Sequence, residues 1–139
     1  MQTVGHIDIE KYRCITDEIV TDEVIITPER IQHIKERRGD DFLEKYEQYF
    51  SLILSDPDYI FPDDRPNTAI VCKVIGEGEE AINLILRLVV KEDDPTYKNS
   101  ILTAIRENKK RFSQRLRNNT PLYKKELTPS DKSVIITIE

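Results

Sequence analysis

Two runs of β-branched and aliphatic residues, joined by glycines, commit this chain to a fold that contains an antiparallel hairpin. Ala69 to Ile75 leads into a turn from Gly76 to Gly78, and the longer run Ala81 to Val90 follows. Such runs favour extended backbone, and a short Gly-bearing link folds one back on the other. Within the second run, Ile82, Leu84, Ile85, Leu86, Leu88, Val89 and Val90 surround Arg87. Strand alternation puts Arg87 on the face of Ile85 and Val89, opposite Leu86 and Leu88. A guanidinium in the middle of a central strand needs a counter-charge, because an unpaired buried cation is costly. Either one of the chain's carboxylates or an anionic ligand such as a phosphate satisfies it.

Helical spacing dominates upstream of the hairpin. Val24 to Ile26 is a short strand candidate that ends at Thr27, Pro28 and Glu29. Thr27 suits an N-cap and Pro28 the first helical position, so a helix is expected to run to about Arg38 and stop at Gly39. Asp40 and Asp41 restart a second helix, in which Phe42, Leu43, Tyr46, Tyr49, Phe50, Ile53 and Leu54 share one face before Pro57. Asp56 to Asn67 reads as a proline-rich turn. Downstream, Asp93, Asp94 and Pro95 close the hairpin, Ser100 to Ile105 is a third strand and Glu107 to Asn118 a short helix. Leu122 to Lys124 and Val134 to Ile138 are further strand candidates. Runs of helix and then of strand predict an α+β fold, with N-terminal helices packed on a mostly antiparallel β-sheet. Strand order does not follow from this, and Met1 to Asp22 is the least defined stretch.

At 139 residues the chain is expected to form a single domain. Lys plus Arg total 21 against 26 Asp plus Glu, a net charge of -5, so any affinity for nucleic acid must come from local charge. From Arg106 to Lys125 the chain supplies Arg106, Lys109, Lys110, Arg111, Arg115, Arg117, Lys124 and Lys125, with Phe112 and Tyr123 as stacking candidates. This stripe is either a solvated basic helix or a phosphate-binding surface. Cys14 and Cys72 do not make a disulfide framework, and no Cys/His spacing suggests zinc, so neither a metal nor a cofactor is expected. Neither a leader segment nor a membrane-length apolar run is evident, which points to a soluble cytoplasmic protein. Serine-hydrolase elbows, P-loops, zincin motifs and dinucleotide fingerprints are absent from the sequence.

His33 and Arg37 lie four apart on the first long helix and share its face. They are either an ordinary surface pair or an acid/base and phosphate-holding pair, since imidazole exchanges protons near neutral pH and guanidinium grips phosphate oxygens. Tyr97, Lys98, Asn99, Ser100 and Thr103 form a polar cluster entering the third strand. Regular alternation would put Ser100 with Leu102 and Thr103 with Ile101 and Ile105, on opposite faces.

Taken in order, Glu29 to Arg37, Asp56 to Ile60, Pro66 to Thr68, Leu86 to Leu88, Tyr97 to Ile101 and Leu122 to Lys124 resemble the motifs of a phage-associated nuclease family of the barnase, EndoU, colicin and RelE group. The resemblance covers about Thr21 to Lys125. It implies metal-independent RNA cleavage by attack of the ribose 2′-hydroxyl on the adjacent phosphate, giving a 2′,3′-cyclic phosphate. His33 would be the acid/base, Arg87 and Arg37 the phosphate clamp, and Lys98, Ser100 and Thr103 supporting contacts. Lys73, Lys109, Lys110, Arg111, Arg115, Arg117, Tyr123 and Lys124 would bind flanking RNA. RNA, tRNA included, and an inhibitor or immunity protein are the implied partners, and a toxin-like or phage-associated role is implied with them. The family carries a second His directly after the motif arginine, where this chain has Arg38. If that His shares the proton work, this chain is slow, uses another acid, or is a non-catalytic RNA- or protein-binding module.

Overall fold

A computed structural model describes residues 2–76 and 80–125. The strands are β1 (Gln2–His6), β2 (Glu23–Ile26), β3 (Tyr59–Pro62), β4 (Thr68–Ile75), β5 (Glu80–Arg87), β6 (Asn99–Asn108) and β7 (Tyr123–Lys124). The helices are α1 (Ile9–Tyr12), α2 (Pro28–Arg38), α3 (Asp41–Tyr46), α4 (Phe50–Ser55) and α5 (Lys109–Asn118). The strands form one seven-stranded sheet in the order β1-β2-β6-β5-β4-β3-β7. All neighbours are antiparallel except β2 and β6, which run parallel. The α+β layering is therefore as expected, but the helices are not all N-terminal, since α5 follows β6 and packs on the other side of the sheet.

Local chemistry explains the elements that the sequence defines best. Thr27 Oγ1 accepts a hydrogen bond from the Arg30 amide at 3.3 Å, Pro28 opens α2, and Gly39 closes it with φ 97°, a conformation costly for any residue with a Cβ. The expected hairpin forms, with Ile75 opposite Glu80 and Thr68 opposite Arg87. Its second strand ends at Arg87 rather than Val90, because the Leu88 amide turns to the Asn67 carbonyl and Val90 bridges only Ile19. The expected second long helix is broken by a 3₁₀ turn at Glu47–Tyr49. That tighter turn redirects the chain so that α3 packs on α2 while α4 reaches β1, β4 and β5. There a Cβ on Gly5 would stand 2.8 Å from Ser51 Oγ and 3.3 Å from its Cβ, so any larger residue would have to displace that serine.

β6 is longer than expected and runs on through Asn108, whose side chain then caps α5 by accepting from the Arg111 amide at 2.9 Å. The candidate strand Val134 to Ile138 lies outside the described residues.

Two apolar layers sandwich the sheet. One face, with Ile82, Leu84, Leu86, Ile101 and Ala104, packs against Ile34, Phe42, Tyr46, Phe50, Ile53 and Leu54 of α2 to α4. The other carries a smaller cluster in which Phe112 of α5 meets Phe61, Cys72 and Ala81, with Tyr59, Ile70 and Leu116 around them. Because alternate residues of β5 point to opposite faces, Ala81, Asn83, Ile85 and Arg87 share the α5 side. Helix α5 packs over the Ala81 end, and the Arg87 end of the same face borders a cleft.

Candidate functional site

The cleft, about 600 Å³ in volume, is walled by Arg87, Asp93, Thr96, Tyr97, Lys98 and Ser100, with Thr27, Ile25 and Val89 completing it. Its size falls in the range typical of small-ligand sites, roughly 300–1,000 Å³. Arg87 is aimed by three acceptors. Its Nη2 lies 3.3 Å from both Asp93 carboxylate oxygens, and its Nη1 donates to the Leu88 carbonyl. Asp93 also accepts from the Val90 amide at 2.9 Å, so the turn that leaves β5 holds the guanidinium in place. The side chain keeps 34% exposure, which leaves donors available to a ligand. Of the two partners open to Arg87 from sequence, the carboxylate is present, and it orients the cation rather than removing it from the cleft.

Lys98, also in the cleft lining, lies 3.3 Å from Glu23, whose carboxyl is held below its ordinary range by hydrogen bonds from Lys98 and Thr3. Asn99, a member of the polar cluster that enters β6, is a buried joint. Its Nδ2 donates to the Thr21 and Glu23 carbonyls, and its Oδ1 accepts from the Val89 amide. This fixes β2, β6 and the chain after β5 around the cleft.

The expected split of Ser100 and Thr103 onto opposite faces is corrected by a register shift. Arg87 pairs with Ser100 and Leu86 with Ile101, but Ile85 pairs with Thr103. The extra residue, Leu102, forms a β-bulge, and Ser100 and Thr103 consequently share the face of Arg87. Thr103 Oγ1 is buried there without a hydrogen-bond partner, as is Asn83 Oδ1. Such orphaned groups are uncommon in a folded chain.

His33 and Arg37 stand elsewhere. Their helix packs Ile34 into the layer opposite Arg87, and neither residue lines the cleft. The contact between α2 and the cleft is the cap residue, Thr27. Arg38, at the position of the missing His, donates from Nε to the Ala104 carbonyl at 2.9 Å and so ties α2 to β6.

The basic stripe is only partly available. Arg115 is bound to Glu107 at 2.9 Å, Arg106 pairs with Glu80 and Lys125 with Asp56. Lys73 is corrected as an RNA contact, because it is 12% exposed and held by the Asp56 carbonyl at 2.8 Å and by the Asp56 and Asp58 carboxylates. Lys11 joins them, so Asp56 gathers three lysines in what reads as a structural clasp, and their proximity, led by the Lys125 hydrogen bond, keeps its carboxyl below the ordinary range. Lys109, Lys110, Arg111, Arg117 and Lys124 make no ion pair among the described residues. Tyr123 is half-buried against the main core.

Sequence reasoning passed over Asp93 and Thr27 as site-forming residues and gave Tyr97 no role beyond its place in the polar cluster. The signal for Asp93 was its place six residues after Arg87, in an Asp-rich turn that returns the chain beside β5. A second groove, lined by Gln2, Val4, Ile31, Lys35, Leu43 and Phe50, lies on the helical side and carries Asp40, Glu44 and Glu47 on its walls, an unfavourable surface for phosphate. Among the described residues no three His, Cys, Asp or Glu side chains gather closely enough to hold a metal ion, and no helix is long and apolar enough to cross a membrane.

Comparison with known proteins adds one finding. No curated protein and no solved structure matches the chain. The family model described as phage-Barnase-EndoU-ColicinE5/D-RelE like nuclease2 matches residues 1–124, nearly the whole chain and all the elements that build the cleft. This chain belongs to that phage-related nuclease family.

Proposed function

We propose that the protein is a metal-independent endoribonuclease that seats the scissile phosphodiester in the cleft beside Arg87. The observation that carries this reading is the convergence of Arg87, Lys98 and Ser100 on one cleft, with Arg87 already oriented by Asp93. A fixed guanidinium offers paired N–H donors to two phosphoryl oxygens, and a lysine adds a second cation where charge builds in the transition state. The ribose 2′-oxygen attacks phosphorus while the bond to the 5′-oxygen breaks, leaving a 2′,3′-cyclic phosphate and a free 5′-hydroxyl. One group takes the 2′-hydroxyl proton and another returns a proton to the leaving oxygen.

The proton work is assigned to His33, with Arg37 as a second phosphate contact on the same helix face. Neither residue lines the cleft, so this assignment requires the RNA to run from Arg87 past the Thr27 cap, which lies about 9 Å of helix rise from His33. Ser100 supplies a hydrogen bond from the cleft wall, while the buried Thr103 hydroxyl lies on the same face of the sheet outside the cleft lining. Free cations of α5, on the same side of the sheet, bind flanking phosphates. An inhibitor or immunity protein would cover the cleft, which suits a toxin-like or phage-borne nuclease.

Incubation of the purified protein with tRNA and total RNA in EDTA is expected to yield cyclic-phosphate ends. Activity is expected to fall about 100- to 1,000-fold in Arg87→Ala and at least about 100-fold in His33→Ala, the usual share of one general acid/base. Full activity in His33→Ala would move proton transfer to another group. Absence of cleavage by the wild type would remove the enzyme reading.

A second reading, a non-catalytic RNA-binding module, is favoured by one observation, that neither His33 nor a second imidazole lines the cleft. RNA affinity that falls steeply with salt, without product, would select it.

A further inference from the structure

We propose that Tyr97 is a base-stacking residue and that the cleft accepts an unpaired nucleotide, not a duplex. This rests on the nucleic-acid reading of the cleft given above. Among the described residues the exposed large apolar side chains are Val20, Leu52, Tyr97 and Leu122, and Tyr97 is the most open of them at 59%. It is also the aromatic member of that set, and it stands in the cleft wall between Thr96 and Lys98.

The ring is presented by a stiff turn. The Tyr97 amide donates to the Asp94 carbonyl at 3.0 Å, and the Thr96 amide and hydroxyl both donate to Asp94 Oδ1, at 2.8 and 2.7 Å. The neighbouring Asp93 grips Arg87. The aromatic face and the guanidinium therefore belong to one braced unit, so a phosphate on Arg87 brings its own nucleotide next to the ring. Ile25 and Val89, nearly buried at 7% and 4%, give the cleft an apolar floor without hydrogen-bonding side chains to read a base edge. An exposed ring above such a floor contacts the π-face of any base, and a base reaches it only when unpaired.

Fluorescence anisotropy with a short labelled single-stranded DNA, which lacks the 2′-hydroxyl and so is not cut, and with the matching duplex, tests this. Tyr97→Ala is expected to weaken single-strand binding about 5- to 150-fold, the range for loss of one stacked base. Tyr97→Phe is expected to restore it, since the ring rather than the hydroxyl is used. The slope of log affinity against log salt is expected to stay the same in Tyr97→Ala and to drop by about 1 in Arg87→Ala, because only the second removes a phosphate contact. Duplex binding is expected to be weaker and indifferent to Tyr97. Arg87-dependent binding that is equal in wild type and Tyr97→Ala, or an equal loss on the duplex, would overturn the stacking role alone. If the wild type binds neither probe, the nucleic-acid reading of the cleft falls, and the stacking role with it.

Discussion

Replacing Arg87 with alanine is expected to lower RNA cleavage by about 100- to 1,000-fold, the effect of removing one preorganised donor from a developing oxyanion. The protein should stay folded. Arg87 and Asp93 are both partly exposed, 34% and 21%, so the ion pair itself is expected to contribute no more than about 1 kcal/mol. Arg87→Lys should recover only part of the rate, because an ammonium cannot keep both the Asp93 bridge and a two-point grip on phosphate. Single-turnover cleavage rates, read beside thermal melts of the same variants, separate the chemical loss from unfolding. A wild-type rate in Arg87→Ala would remove the cleft from the chemistry.

The largest expected loss of stability lies away from the cleft, at Glu107. Its side chain is 7% exposed and accepts from Arg115 at 2.9 and 3.0 Å and from Asn83 Nδ2 at 2.6 Å. Glu107→Ala leaves the Asn83 amide buried without its acceptor and Arg115 without its counter-charge, at a cost of about 3–5 kcal/mol. For a domain of this size that corresponds to a fall in Tm of roughly 10 °C or more. The pH dependence has a definite sign. Burial pushes the Glu107 carboxyl up, but the hydrogen bonds from Arg115 and Asn83 outweigh it and the group ends below its ordinary range. Its contribution is therefore complete above the unfolded-state pKa of about 4.3 and is lost as pH falls through the lower folded value. Melts between neutral and acidic pH should show this component in the wild type and not in Glu107→Gln. A Glu107→Ala variant as stable as the wild type would show that the pair carries no net stability.

What could be read from sequence and what could not divides along the range of the interactions. The α2 start at Thr27 and Pro28 and the hairpin around Gly76 depend on residues that touch their own neighbours, and both form as expected. The face of Arg87 was legible too, because alternation on β5 runs unbroken to that residue. The shared face of Ser100 and Thr103 was not, because the bulge at Leu102 answers to pairing with β5 and leaves no local signature. The joint made by Asn99 was not legible either, since its partners Thr21, Glu23 and Val89 come from distant parts of the chain. Helical periodicity correctly put Ile34 toward the core, yet it carries no information about which side of the sheet the helix covers. Hence His33 and Arg87, which the family resemblance joined in one site, sit on helix and strand in different layers, and the cleft beside Arg87 is walled by Asp93 and Tyr97 instead.

Backbone-amide NMR during titration with a short single-stranded oligonucleotide that cannot be cleaved reads the ligand's position without relying on turnover. Shift changes concentrated at Thr27, Arg87, Asp93, Thr96, Tyr97, Lys98 and Ser100, with weaker ones along Lys109, Lys110 and Arg111, are the predicted result. Changes confined to α5, or to the acidic-walled groove of Gln2, Lys35 and Glu44, would contradict a phosphate-binding cleft beside Arg87.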